Sequence, residues 1–147
     1  MAIISFNNNG ISPSLKNKPL LKIFLSSIFE EEETDFEKIS YIFCTDEFLL
    51  RLNKQYLNHD TLTDIITFTL SETSLPIISE IYISVERVKE NSFQLEVSYY
   101  EELMRVMIHG ILHLCGYSDH TAELKAEMRQ KENYYLNKLA KFTDATI

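Results

Sequence analysis

Three of the chain's four histidines fall within the segment HGILHLCGYSDH. His109 and His113 are four residues apart, so on a helix their rings would lie on one face, with Cβ atoms roughly 6 Å apart. Gly116 permits a sharp turn after such a helix, and the turn can return His120 toward the same point. Three neutral imidazoles with one open position are typical of a catalytic zinc that activates water. We therefore predict one zinc ion (Zn2+) per chain, although other borderline divalent metals accept the same ligands.

Four further residues allow two interpretations each. Asp119 either hydrogen-bonds to the ring of a ligand histidine and orients it, or caps the last helix; we include it with the three histidines as a candidate catalytic residue. Cys115 is interpreted as a small core residue, with metal ligation as the alternative. Asp64 either reaches the site or satisfies loop amides at a strand edge. His59 is predicted to be a loop residue, and lining the site is its alternative.

A zinc protease is the first function that the histidine spacing suggests. Such sites read H-E-x-x-H, and the Glu acts as the general base. In this chain Gly110 stands where the Glu would be, and glycine has no side chain to take a proton. The longer protease signature also requires its third histidine one residue earlier than His120. A metallopeptidase is therefore disfavoured on chemical grounds.

Hydrophobic periodicity, caps and turn residues predict the elements that must position these groups. Strands are expected at 2–6, 39–44, 64–70 and 80–85, the last two as a hairpin. Helices are expected at about 19–29, from 46, at about 86–93, from 98 to 114, and from 121. A capping box at Ser98 and Glu101 opens the helix that carries His109 and His113, and Gly116 ends it. The final helix is expected to face Leu124, Met128, Tyr135 and Leu139 inward.

The order β-α-β-α-β-β-α-α-α predicts an α+β fold: a mixed sheet of about four strands packed by about five helices. The 147 residues, 45% of them hydrophobic, fit a single domain over 1–147 with a core of its own. Two cysteines are too few for a disulfide framework, and Cys44 is interpreted as structural. The acidic run Glu30 to Glu33 is expected to be a solvated helix end.

Charge and hydropathy narrow the class of protein. The net charge of −8 argues against a general polyanion binder, because sequence-independent nucleic-acid affinity comes mainly from clustered Lys and Arg. No run of residues has the pattern of a secretory signal or of a membrane span. A cytoplasmic location is expected by elimination.

Three segments resemble the YbeY family of bacterial ribosomal RNA maturation endoribonucleases. The family pattern H-G-x-L-H-L-x-G-[YH]-D-H is matched by HGILHLCGYSDH, an upstream pattern by LNKQYLNHDTLTDIITF at 52–68, and a strand pattern by SEIYI at 79–83. The resemblance implies a single-domain α+β fold and a zinc ion held by His109, His113 and His120. It also implies cleavage of single-stranded RNA in small-subunit rRNA processing and ribosome quality control. The implied partners are ribosomal RNA and the small ribosomal subunit, with neither DNA nor a membrane.

The chain departs from the family pattern in three places. Ser118 is an extra residue between Tyr117 and Asp119, so that the last histidine stands one residue late. Ser79 replaces a glycine. Leu57 stands where the family has an arginine thought to serve catalysis or RNA binding.

If the family chemistry persists, another cation must face the phosphate, because a leucine cannot donate hydrogen bonds to it. Lys54, Arg51 and Arg87 are the candidates, with Lys54 favoured, although solvated faces explain all three equally well. The leading hypothesis is thus a zinc-dependent endoribonuclease. The alternatives are a metallopeptidase and a non-catalytic, zinc-containing, ribosome-associated module.

Overall fold

The computed structural model describes residues 2–57 and 63–146, with only the backbone described for 144–146. Within these residues the chain forms four strands and five helices, in the order predicted from the sequence. The elements are β1 (Ile3–Asn8), α1 (Lys18–Glu31), β2 (Phe36–Cys44), α2 (Asp46–Leu57), β3 (Ile65–Thr69), β4 (Ile77–Ser84), α3 (Val85–Leu95), α4 (Tyr99–Leu114) and α5 (Ala122–Thr146).

The four strands form one mixed sheet in the order β1-β2-β4-β3. β1, β2 and β4 run parallel, and β3 pairs antiparallel with β4, so that Ile65 lies opposite Ile83 and Thr69 opposite Ser79. The predicted mixed sheet and hairpin are therefore confirmed. β2 and β4 each begin three residues before the sequence-based boundary, because Phe36 pairs with Ile77 and lengthens both strands together.

α4 begins and ends where its sequence predicts. Ser98 Oγ accepts a hydrogen bond from the Glu101 N–H at 3.0 Å. At the other end Gly116 has φ +105°, and the amides of Gly116 and Tyr117 donate to the carbonyls of His113 and Leu112, both at 3.1 Å. This pair of bonds is a Schellman motif, which needs a left-handed residue such as glycine. The turn after the histidine helix is thus fixed by backbone hydrogen bonds.

α4 packs closely on the sheet at Gly110. A Cβ added to Gly110 would lie 3.0 Å from Ile65 Cδ1 and 3.2 Å from Ile81 Cγ2. The residue after His109 therefore faces the hairpin β3–β4 and has no room for a long side chain. Leu103, Met107 and neighbouring residues of α4 are buried in the main core with α1, α3 and α5.

The first turn of α5 does not face the core as predicted. Leu124 is 36% exposed, and it lines a surface cavity beside Gly116 and Tyr117. The prediction was wrong because this turn of α5 meets the α4–α5 turn and not the core. Met128 and Tyr135, further along the helix, are buried as expected. None of the described helices is long and apolar enough to cross a membrane.

Glu32 ties three elements together just after α1. Its carboxylate accepts hydrogen bonds from Tyr117 Oη at 2.7 Å, from Lys131 Nζ at 3.2 Å and from Tyr135 Oη. Burial acts to raise the pKa of Glu32, but these donors outweigh it and hold the pKa below its ordinary value of 4.5. The expectation of a solvated acidic helix end was therefore wrong for this residue, whose side chain is 10% exposed.

The depressed pKa of Glu32 predicts how stability changes with pH. A group whose pKa is lower in the folded state contributes stability above its unfolded value, and this is lost as the pH falls through the folded pKa. Glu32→Gln should therefore lower the free energy of unfolding by about 1–2 kcal/mol at pH 7. The difference from wild type should shrink as the pH falls below the ordinary value of 4.5, in urea unfolding measured across pH. Glu30→Gln, which removes an exposed charge from α1, is the matched control, and an equal response in both variants would contradict the assignment.

Candidate active site

His109 and His113 both line one polar cavity of about 530 Å³. The walls come from the approach to β3, one face of α4, the loop before α5, and the first half of α5. Its ionisable side chains are Asp64, Glu102, Arg105, His109, His113, Asp119, Lys125, Arg129 and Glu132. The predicted placement of the two histidines on one face of a helix agrees with this wall.

A buried carboxylate from α5 fixes the ring of His109. Glu132 Oε2 lies 2.7 Å from His109 Nδ1, and Glu132 Oε1 accepts a hydrogen bond from Arg105 Nη1 at 3.1 Å. The Glu132 side chain is only 7% exposed. With the proton on Nδ1 directed at this carboxylate, the lone pair of Nε2 is available to the cavity.

His109 and Glu132 each favour the charged form of the other. Burial acts to lower the pKa of His109, but the hydrogen bond and charge of Glu132 outweigh it, so that the pKa lies above its ordinary value. Burial likewise acts to raise the pKa of Glu132, and the donors His109 and Arg105 hold that pKa below its ordinary value. Glu132 is thus ionised in the folded protein at neutral pH.

Glu132 was missed in the sequence analysis, although the sequence carries a signal for it. Met128, Glu132, Tyr135 and Leu139 follow one another at spacings of four, three and four, which place them on one helix face. A charged residue on an otherwise apolar face is buried only when it is paired. A carboxylate on this apolar face therefore indicated that Glu132 is buried and has a charged or hydrogen-bonding partner.

Asp119 and His120 occupy different surroundings. Asp119 lines the cavity, and its Oδ2 lies 3.9 Å from His109 Nε2. His120 is exposed and is not among the residues that line the cavity, and its backbone N–H donates to Ser118 Oγ at 3.2 Å. The structure therefore brings together His109, His113 and Asp119. Within the described ranges, no three His, Cys, Asp or Glu side chains are already arranged to hold a metal ion.

Two carboxyl groups in the cavity have raised pKa values. Burial raises the pKa of Asp64, which lies just before β3. Burial, and then the charge of Asp64, raises the pKa of Glu102, whose Oε1 is buried without a hydrogen-bond partner. Carboxyl groups of this kind can hold and exchange a proton nearer to neutral pH than exposed ones. The interpretation that placed Asp64 near the site thus agrees with the structure.

The cations that line the cavity are not those proposed from the sequence. Arg51, Lys54 and Arg87 do not line the cavity. The Arg51 guanidinium lies instead over the Phe48 ring, 5.9 Å from its centre. Arg87 forms an ion pair with Asp46 at 2.9 Å. The lining cations are Arg105, Lys125 and Arg129. Two of them belong to α5, and the sequence did not indicate that this helix lines the cavity.

The remaining candidates lie away from the cavity or outside the described residues. Cys115 packs against the core, and burial raises the pKa of its thiol to about 11. Cys44 is fully buried, and burial raises its pKa to about 12. Neither cysteine lines the cavity with the histidines. His59 falls outside the described residues.

Comparisons with known proteins agree on one family. A family model described as Endoribonuclease YbeY matches residues 4–140. A protein of that name from Flavobacterium psychrophilum is 46% identical over 89% of this chain and 92% of its own length. Another, from Cytophaga hutchinsonii, is 42% identical over 95% and 96%. A Thermotoga maritima protein solved in solution shares the fold with a TM-score of 0.64 and 28% identity, over 98% of this chain and 93% of its own.

The contacts of Glu132 predict that one substitution will loosen the site. Glu132→Gln keeps the size of the side chain but removes the charge that faces His109 and Arg105. We expect the free energy of unfolding to fall by about 1–3 kcal/mol. We also expect His109 to populate both neutral tautomers, which long-range proton–nitrogen NMR spectra of the imidazole report. Glu123→Gln, an exposed position of the same helix, is the control; an unchanged His109 spectrum in Glu132→Gln would contradict the orienting role.

Proposed function

Because the chain belongs to the endoribonuclease YbeY family, we propose that it cleaves single-stranded RNA with one zinc-like ion, held by His109, His113 and a third ligand from the loop before α5. The substrate in the cell would be ribosomal RNA, during small-subunit rRNA maturation and ribosome quality control in the cytoplasm. The observation that carries the proposal is the cavity lined by both His109 and His113, in which a buried carboxylate orients the ring of His109.

The donor set of the cavity fits a borderline divalent ion. Imidazole nitrogens suit zinc and its neighbours, and a ligand histidine almost always donates its other ring N–H to a carboxylate or carbonyl. Glu132 supplies that partner at 2.7 Å from His109 Nδ1. An ion of this class lowers the pKa of a coordinated water and offsets charge on phosphoryl oxygens.

The other side chains of the cavity have separate proposed roles. Asp64 and Glu102, with their raised pKa values, would hold or accept the proton exchanged at the scissile phosphate. Lys125 and Arg129 line the cavity and would contact the phosphates of the strand. Arg105 is engaged by Glu132 at 3.1 Å, so its role would be to keep that carboxylate in place.

The position of Gly110 argues against a peptidase. In the protease pattern the residue after the first histidine carries the catalytic carboxylate. Here that position packs against Ile65 and Ile81 of the hairpin. A Cβ there would lie 3.0–3.3 Å from these apolar groups, so the position has no room for the carboxylate that a peptidase of this class requires.

We predict that cleavage of RNA requires the ion. Purified protein should cut an unstructured RNA oligonucleotide, should lose that activity after dialysis against a chelator, and should regain it with added Zn2+. His113→Ala should abolish cleavage and leave circular dichroism and thermal unfolding close to wild type, because the ring is exposed. Wild type that retains zinc and cuts no RNA would favour the non-catalytic ribosome-associated module. Digestion of casein would favour the metallopeptidase.

A further prediction concerns the cavity-lining cations of α5, Lys125 and Arg129. Arg129→Ala and Lys125→Ala should each weaken binding of a single-stranded RNA and reduce the slope of log affinity against log salt by about one unit. Lys141→Ala, roughly 18 Å further along the helix than Arg129, removes the same charge and should change neither quantity. Lys54→Ala tests the candidate chosen from the sequence. A larger loss in Lys54→Ala than in the two α5 variants would move the phosphate contact to α2.

A further inference from the structure

The loop between α4 and α5 offers two possible third ligands to a metal ion, and they are adjacent in sequence. The family pattern ends in a histidine three residues after its glycine, and His120 stands four residues after Gly116. Counted without a gap, the position three residues after Gly116 is Asp119. We infer that Asp119, and not His120, is the third metal ligand, so that the site is formed by two imidazoles and one carboxylate. This inference rests on the metal dependence proposed above.

The direction of the two side chains carries the inference. Asp119 lines the cavity with His109 and His113, and His120 does not. The Oδ2 of Asp119 lies 3.9 Å from Nε2 of His109, which is too far for a direct hydrogen bond. Two ligand atoms of one tetrahedral zinc, each about 2.0–2.1 Å from the ion, lie roughly 3.3 Å apart. The observed separation is therefore close to that of two atoms sharing an ion.

The loop between α4 and α5 is anchored at both ends, so it cannot easily shift to bring His120 into the place of Asp119. Its start is fixed by the Schellman motif at Gly116 and by the hydrogen bond of Tyr117 Oη to Glu32 at 2.7 Å. Its end is fixed by Thr121, whose Oγ1 accepts from the Leu124 N–H at 3.1 Å and opens α5. Only residues 118–120 lie between these two anchors. Sliding the segment by one residue to bring His120 inward would break at least one of them.

The side chains of the proposed ligands can rotate without disturbing the core. His113 is exposed and the side chain of Asp119 is 49% exposed, whereas His109 is held by Glu132. As placed, no three potential ligands of the described chain surround one point. Asp119 Oδ2 already lies 3.9 Å from His109 Nε2, so binding would require chiefly that the exposed side chain of His113 rotate toward them.

A carboxylate in place of an imidazole changes the site chemically. It lowers the net charge of the site with a divalent ion from +2 to +1. Carboxylate oxygen is also a harder donor than imidazole nitrogen, and two histidines with one carboxylate are a set that accepts iron, manganese and cobalt as well as zinc. We expect this chain to discriminate less sharply among these ions than a site of three imidazoles.

The test compares metal binding in matched variants, without reference to activity. Wild type, Asp119→Ala, His120→Ala and Asp119→His are purified without a histidine tag, and metal content is measured by mass spectrometry. Zn2+ affinity is measured by competition with a chromophoric chelator. Asp119→Ala should lose at least about 100-fold in Zn2+ affinity. That is the largest loss typical of removing a residue that only hydrogen-bonds to a metal ligand, and removing a ligand itself should cost no less. His120→Ala should match wild type, and Asp119→His should retain the ion. Co2+-loaded Asp119→His should show a visible spectrum different from that of wild type, because one ligand changes type.

The outcomes separate this inference from the proposed function. If wild type binds the ion and His120→Ala releases it while Asp119→Ala keeps it, the third ligand is His120 and the inference fails alone. If both single variants keep the ion, neither residue is a ligand and the inference also fails. If wild type binds no divalent ion, the proposed metal dependence fails and the ligand assignment fails with it. Both side chains are exposed, so circular dichroism should show that all variants are folded.

Discussion

The contact between Glu132 and His109 is the interaction on which the cavity depends. A carboxylate that is almost fully removed from water is costly unless charged donors surround it, and here a histidine and an arginine of α4 face it. The same contact fixes the distance between α4 and α5, selects the tautomer of His109, and leaves Nε2 toward the cavity. The packing of the two helices and the chemistry of the site therefore rest on one buried charge.

A second carboxylate gives the loop between these helices its shape. Glu32 accepts hydrogen bonds from Tyr117 in the loop and from Lys131 and Tyr135 of α5. Tyr117 comes before the segment 118–120, and Lys131 and Tyr135 belong to the helix after it, so Glu32 links the two sides of the loop. Asp119 lies within this segment and lines the cavity.

Much of the fold could be predicted because its signals are local. The S-x-x-E cap at Ser98, the glycine at 116 and the two β-rich runs each depend on a few neighbouring residues, and all appear in the structure. For Asp119 the sequence left two interpretations open, at the site or as a helix cap, because the choice depends on how the loop packs between distant parts of the chain. That Lys125 and Arg129 line the cavity could not be predicted either, because it depends on how α5 packs against α4. Periodicity gives the apolar face of α5, but not the angle at which the helix crosses α4.

Glu132 illustrates a third case, in which the signal was present and the interpretation was incomplete. Its position on the apolar face of α5 could be read from the sequence, but its partner could not. His109 and Glu132 are 23 positions apart, and the segment between them contains His113 and Asp119 as well. The entropy of closing a loop grows only logarithmically with its length, by roughly 0.6 kcal/mol for each doubling. Four groups of the cavity are thus supplied by one short helix–turn–helix segment, and gathering them restricts the unfolded chain far less than a site assembled from distant strands would.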